Sequence, residues 1–219
     1  MQNKRNVFIV DDHPFVMEGM AKLINEEADL NVCGVAGNPA SAIKEIDKLL
    51  PDAVTIDITL GKKNGLDLIK ELKYRYPSMP MLVLSMHDER VYAERCLKAG
   101  ASGYVMKSED PSALIAALRK ILKGKVYLSE VMTDYMLMKA ANQKKISAES
   151  PVESLSDREY QVFTYLGQGM KNKNIAEILN LSVKTVDTFK DNIKHKLNIA
   201  TSNELMQFAI SWVHSEENK

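Results

Sequence analysis

The chain has 219 residues, 45% hydrophobic and 26% charged, with 29 Lys+Arg against 29 Asp+Glu. That length admits one large domain or two small ones, and the neutral balance argues against bulk affinity for nucleic acid. No run of 18 apolar residues occurs, which excludes a membrane-spanning helix, and the apolar run 7–10 is too short and ends too acidically for a signal peptide. Two distant cysteines, Cys33 and Cys96, argue against a disulfide framework or a zinc site and fit a reducing cytoplasm.

Over the first 125 residues, short apolar runs at 7–10, 32–35, 53–56, 81–84 and 103–106 alternate with helical patterns. Continuous apolar strands suit a parallel sheet covered on both faces. The helical patterns include Val16, Met20, Leu23 and Ile24, then Leu66, Leu68, Ile69 and Leu72, then Leu114, Ile115, Leu118, Ile121 and Leu122 behind Pro111. Five strands alternating with five helices predict a doubly wound α/β domain that ends near Gly124. Residues 126–151 read as a linker: 132–141 can form a helix, and 142–151 is polar and ends at Pro151.

From residue 152 to 219 every pattern is helical. Ser156 to Glu159 forms a capping box that opens a helix to about 166, broken by Gly167-Gln168-Gly169. Asn172 is placed to cap a short helix through 179, and Ser182 to cap another over 183–197. Thr201 to Glu204 makes a second capping box before a helix over 205–213. Four helices, two of them joined by Asn180-Leu181-Ser182, predict a helix-turn-helix.

In a parallel α/β sheet, ligands sit beyond the carboxyl ends of the strands. The first strand ends in Asp11-Asp12, the third in Asp57, the fourth in Ser85 and the fifth in Lys107. Gathered carboxylates repel one another unless a cation joins them, and a hard divalent ion such as Mg²⁺ with oxygen ligands resolves that repulsion. An aspartate beside such an ion can act as the nucleophile in phosphoryl transfer, giving an acyl phosphate, with a lysine and a hydroxyl holding the phosphoryl oxygens. No Gly-rich loop or dinucleotide fingerprint is present, so a bound nucleotide is not expected.

These residues, with the flanking text Val10-Asp11-Asp12-His13-Pro14, Asn64-Gly65-Leu66, Leu84 to Asp88 and Ala99 to Lys107, resemble the receiver domain of two-component response regulators over residues 5–125. The resemblance implies strand order 2-1-3-4-5 and Asp57 as phosphoacceptor from a sensor histidine kinase. It also implies Asp11, Asp12, Asp57 and the Thr59 backbone carbonyl around Mg²⁺, with Lys107 on the phosphoryl group. Ser85 would follow the phosphoryl group inward, and Tyr104 would change rotamer with it. Gly61 stands where the family usually has proline, and glycine is expected to loosen that loop and alter the lifetime of the phosphorylated state.

Residues 154–214 resemble the LuxR-type helix-turn-helix of the NarL/FixJ response regulators. The matching text is Leu155 to Glu159, Gly169 to Ala176, Leu181 to Val186, Ile193 and Lys196-Leu197. On the 183–197 helix, Val186, Phe189, Ile193 and Leu197 form the predicted buried stripe. Lys184, Asp187, Thr188, Asp191 and His195 lie opposite, flanked by Lys190 and Lys194. A recognition helix meets duplex promoter DNA through such an outward face.

Residues 171–196 hold six lysines against Glu177, Asp187 and Asp191. Affinity is therefore expected to rest on Lys171, Lys173, Lys184, Thr185, Lys190 and Lys194, with Asp187, Thr188 and Asp191 as candidate base readers. Family members often dimerise through the last helix, so Leu205, Phe208 and Trp212 are candidates for a homodimer contact. A cytoplasmic regulator with no separate substrate is the leading expectation. The rivals are a metal-dependent phosphatase using Asp57 and a helical domain that binds another protein.

Overall fold

The computed structural model describes residues 4–61, 63–86, 89–142 and 151–217. Most of the predicted polar stretch 142–151 therefore lies outside the described residues, as do His87 and Asp88 of the quoted flanking text. The chain forms two compact units, Met1–Thr133 and Asp134–Lys219.

The first unit alternates β1 (Arg5–Val10), α1 (Pro14–Glu26), β2 (Leu30–Ala36), α2 (Pro39–Leu49), β3 (Ala53–Asp57), α3 (Gly65–Arg75), β4 (Met81–Ser85), α4 (Glu89–Ala99), β5 (Gly103–Met106) and α5 (Pro111–Ile121). All five strands are parallel, in the order β2-β1-β3-β4-β5. The one addition to the expected plan is a small antiparallel hairpin, Thr59–Leu60 against Lys63–Asn64, between β3 and α3.

Val7 and Ile9 join Ile24, Leu82, Leu114 and Leu118 in one core, while the alternate residues Phe8 and Val10 are buried as well. Both sheet faces are thus covered, which is why β1, β3 and β4 read as unbroken apolar runs; each such side chain contributes roughly 1.5–3 kcal/mol on burial. β2 departs from that pattern, with Val35 47% exposed, because it is an edge strand. Proline opens α1, α2 and α5, and the side chains of Asn38, Asn64 and Asp110 accept from the first-turn amides of α2, α3 and α5. After α5 the chain returns to the sheet: Tyr104 N–H donates to the Tyr127 carbonyl and Tyr127 N–H to the Ser102 carbonyl. The first unit therefore runs past Gly124, because this segment finds backbone partners beside β5.

Helix α6 (Glu130–Asn142) carries the division between the units and is one turn longer than its apolar pattern suggested. A 3₁₀ turn at Pro151–Ser154 precedes α7 (Asp157–Gly167), α8 (Asn172–Ile178), α9 (Val183–Leu197) and α10 (Ser202–Glu217). The Ser156–Glu159 capping box forms as expected, and the Ser182 side chain caps α9. Thr201 Oγ accepts from Glu204 N–H, but the Glu204 carboxylate returns to Ala200 N–H, one residue earlier than a capping box requires.

Asn172 is not the cap of α8. Lys171 occupies that position without a side-chain hydrogen bond, and the Asn172 amide is drawn across to α9 by charged partners there. Phe163, Leu166, Ile175, Val186, Ile193, Leu205 and Ala209 are buried in this unit. Among the described residues, no helix is long and apolar enough to cross a membrane.

Candidate functional site

The parallel sheet brings the expected strand ends to one rim. Asp11 follows β1, Asp57 closes β3, Ser85 closes β4 and Lys107 follows β5. Lys107 Nζ lies 2.6 Å from Asp11 Oδ2 and 2.7 Å from Asp57 Oδ2, and all three side chains are nearly buried. The ends of β4 and β5 are tied by Lys107 N–H donating to the Ser85 carbonyl at 2.7 Å.

Each carboxylate has a second constraint. Asp57 Oδ1 accepts from Thr59 N–H at 3.2 Å and Asp11 Oδ1 from His13 N–H at 2.9 Å. Asp12 Oδ2 accepts from Gly61 N–H at 2.8 Å. Gly65, opening α3, lies directly over β3: a Cβ there would sit 2.1 Å from the Asp57 carbonyl oxygen, so only glycine lets the helix approach this closely.

Burial raises the Asp57 carboxyl from 3.8 to about 6, against the pull of the Lys107 ammonium. Burial alone would lower Lys107, yet the Asp57 and Asp11 carboxylates outweigh it and hold the ammonium charged. Tyr104 is fully buried, its hydroxyl hydrogen-bonded to Ser85; burial raises its pKa well above the usual phenol value. The expected Asp57, Ser85, Tyr104 and Lys107 are therefore neighbours through strand register.

The acidic residues fit a hard divalent ion. Side-chain ligand atoms of Asp11, Asp12, His13 and Asp57 lie within 4.8 Å of one another. Asp12 Oδ1 is buried without a hydrogen-bond partner among the described residues, although His13 Nδ1, itself hydrogen-bonded to Asp11 Oδ1, lies 2.8 Å away. Three carboxylates with one orphaned oxygen make an oxygen-rich donor set suited to Mg²⁺. Thr59 reaches this site through its N–H. His13 and the Gly61 amide were missed from sequence; His13 was signalled only by its place after Asp11-Asp12, and a backbone donor carries no residue-type signal at all.

The second unit exposes a different surface. Lys171, Lys173, Lys184, Asp187, Thr188 and Asp191 are exposed, while Thr185, Lys190 and Lys194 are half-buried. Asn172 donates to Asp187 Oδ1 at 2.6 Å and accepts from Lys190 Nζ at 3.2 Å, joining α8 to α9. Lys194 pairs with Asp191 at 3.0 Å. Thr185 shares a hydroxyl hydrogen bond with Ser182, and Thr188 Oγ donates to the Lys184 carbonyl. Lys196 belongs to the scaffold: its ammonium lies 2.6 Å from the buried Glu159 carboxylate. Val186 and Ile193 are buried and Phe189 and Leu197 half-buried, as their stripe requires.

The candidate dimer residues do not share one environment. Leu205 is fully buried, spent on the unit's own core with Ala209, so it is not available for a contact between copies. Phe208 lies with its ring 5.8 Å from that of Phe163, and Trp212 is half-buried.

Comparison with known proteins covers both units. Residues 7–119 match the response regulator receiver domain family, and residues 153–209 match the luxR family of bacterial regulatory proteins. The chain is 31% identical over 211 residues to the transcriptional regulatory protein DegU of Brevibacillus brevis, covering 90% of this chain and 89% of that one. It is 38% identical over 204 residues to a putative transcriptional regulator of Pseudomonas aeruginosa, covering 93% and 96%. Among solved structures it resembles RcsB from Salmonella enterica serovar Typhimurium bound to promoter rprA in the presence of phosphomimetic BeF3⁻. That likeness has a TM-score of 0.61 and 26% identity over 94% of this chain and 98% of that one.

Proposed function

The chain belongs to the response regulators that join a receiver domain to a LuxR-type DNA-binding domain, and from that premise we propose a transcription regulator switched by phosphorylation of Asp57. The observation that carries this reading is the Lys107 ammonium held between Asp11 and Asp57 at 2.6 and 2.7 Å at the closed end of β3. We assign 1–125 to the receiver, with the adjoining segment to Thr133 packed on it, the rest of 126–151 to the connecting stretch and 152–219 to the DNA-binding domain.

An Asp57 oxygen attacks the phosphorus of a phosphohistidine on a sensor kinase. The P–N bond breaks as the P–O bond forms, and the departing imidazole takes up a proton. Lys107 moves its hydrogen bonds from the carboxylates to the phosphoryl oxygens, and the Ser85 hydroxyl donates to another. Tyr104, already bonded to Ser85, follows that hydroxyl and repacks the β4–β5 side. Asp11, Asp12 and Asp57 would hold Mg²⁺, with the Thr59 carbonyl as a further ligand, and the ion supplies charge neutralisation for the phosphoryl oxygens.

The DNA-binding domain meets promoter DNA in the cytoplasm through Lys171, Lys173, Lys184, Thr185, Lys190 and Lys194, with Asp187, Thr188 and Asp191 toward the bases. A homodimer would use Phe208 and Trp212 rather than Leu205. Intact-mass measurement after incubation with phosphoramidate and MgCl₂ tests the switch. Wild type should gain one phosphoryl group and Asp57→Asn should stay at background; equal labelling of the variant would remove Asp57 from the role. Binding to duplex DNA that weakens steeply as salt rises supports the second half, and salt-insensitive binding would favour a protein-binding domain instead.

A further inference from the structure

We infer that Gly61 is a positioning residue for the divalent ion: its backbone N–H holds one oxygen of Asp12 so that the other faces the acidic cluster. The inference rests on the reading of that cluster as an ion site. Gly61 sits at the turn of the Thr59–Leu60/Lys63–Asn64 hairpin with φ of +57°, a left-handed conformation that glycine adopts without strain. Its amide donates to Asp12 Oδ2 at 2.8 Å. The partner oxygen, Asp12 Oδ1, is buried without a hydrogen bond among the described residues and has His13 Nδ1 2.8 Å away.

One amide thus fixes the rotamer of Asp12, whose carboxylate lies in the cluster with Asp11, His13 and Asp57. Orientation of a ligand by such an outer hydrogen bond is a recognised lever on metal affinity.

The hairpin is anchored at its other end on the phosphoacceptor strand. Thr59 N–H donates to Asp57 Oδ1, and Gly65 N–H to the Ile58 carbonyl at 2.7 Å. Two amide hydrogen bonds, from Thr59 to Asp57 and from Gly61 to Asp12, therefore tie this segment to two of the clustered carboxylates. Proline at this position would fail twice, since its ring fixes φ near −65° and it has no N–H to donate. Glycine here supplies a donor that proline lacks.

The test uses the full-length protein and MgCl₂ alone, followed by isothermal titration calorimetry without any phosphodonor. Gly61→Pro should weaken Mg²⁺ binding about tenfold. Gly61→Ala keeps the N–H at some backbone strain and should stay within about threefold of wild type. A Gly61→Pro protein that binds as tightly as wild type, or a Gly61→Ala protein that falls as far as Gly61→Pro, overturns the inference. Absence of saturable binding by wild type overturns the ion-site reading itself, and this inference with it.

A second measurement does not depend on how well the proline variant folds. Hydrogen exchange of the Gly61 amide in ion-free protein should accelerate at least about tenfold in Asp12→Ala, as loss of its acceptor requires. Unchanged exchange would show that the hydrogen bond does not form in solution.

Discussion

The crevice around Asp57 and the outer face of α9 both carry charge, but they hold it in opposite ways. In the crevice, Asp11, Asp57 and Lys107 are nearly buried, and each charge is answered within 2.7 Å. On α9, Lys184, Asp187, Thr188 and Asp191 are exposed, and the ion pair Asp191–Lys194 has one partner 72% exposed to water. Buried charge costs several kcal/mol unless compensated, whereas an exposed pair contributes about 0–1 kcal/mol. Charge gathered in the crevice therefore comes at the expense of stability, and charge on the α9 face costs almost nothing. Substitutions should separate the two regions along that line.

The largest effect falls on Lys107. Lys107→Met leaves two buried carboxylates facing each other and should destabilise the ion-free protein by about 3–5 kcal/mol at neutral pH. Urea unfolding checks this, and both MgCl₂ and mild acid should recover part of the loss, by neutralising or protonating the carboxylates. A loss below 1 kcal/mol would mean that the crevice is wetter than its burial indicates.

Next comes the pH dependence. The Asp57 pKa is raised in the folded protein to about 6 from 3.8, so the folded state binds this proton more tightly than the unfolded chain does. Its contribution is fully present below about pH 4 and is lost as pH rises through 6, a swing of roughly 2–3 kcal/mol. Asp57→Asn should flatten that part of the stability curve in ion-free buffer, and an unchanged curve would assign the swing to another group.

The same contrast explains what was legible beforehand. Asp57 stood out because a carboxylate ending the apolar run Val54-Thr55-Ile56 is out of place unless something compensates it. Strand alternation then fixed Ser85, Tyr104 and Lys107 as its neighbours. Gly61 N–H and the Thr59–Leu60/Lys63–Asn64 hairpin escaped notice because backbone donors are common to nearly all residue types and two-residue strands show no periodicity. On the α9 face, lysines and aspartates sit where any solvated helix would put them, so residue type alone could not separate Lys196, tied to Glu159, from Lys184. Asn172 was misread as a cap because Asn at a helix start usually is one; the partners that claim it, Asp187 and Lys190, come from another helix. For Leu205, which is buried, the apolar stripe does not tell a core contact from an interface contact.

Smaller effects test the second region against itself. Glu159 accepts from Ser156 N–H at 2.7 Å and binds Lys196. Glu159→Ala should therefore cost about 1–2 kcal/mol in thermal or urea unfolding, as loss of a cap with a buried partner does. Lys184→Ala, in contrast, should leave stability within about 0.5 kcal/mol while weakening DNA binding and lowering the salt slope by about 1. If Lys184→Ala destabilised the fold as much as Glu159→Ala, the division between scaffold and binding lysines would fail.

A small change in stability with a distinct functional consequence is expected at Asn172. Its amide sits between Asp187 and Lys190, giving to the one and accepting from the other, so it partly satisfies a carboxylate on the face proposed to meet DNA. Removing it changes no formal charge and, at a half-buried position with two side-chain partners, should alter unfolding by no more than about 1 kcal/mol. It would, however, release Asp187 from its donor and leave that carboxylate free to oppose the DNA backbone. Asn172→Ala should therefore weaken duplex binding severalfold, and in an Asp187→Ala background the same substitution should do almost nothing. A double-mutant cycle on DNA affinity reads that coupling directly. If the two losses simply added, Asn172 would act on DNA by itself, and the exposed face would lack the internal compensation that its geometry describes.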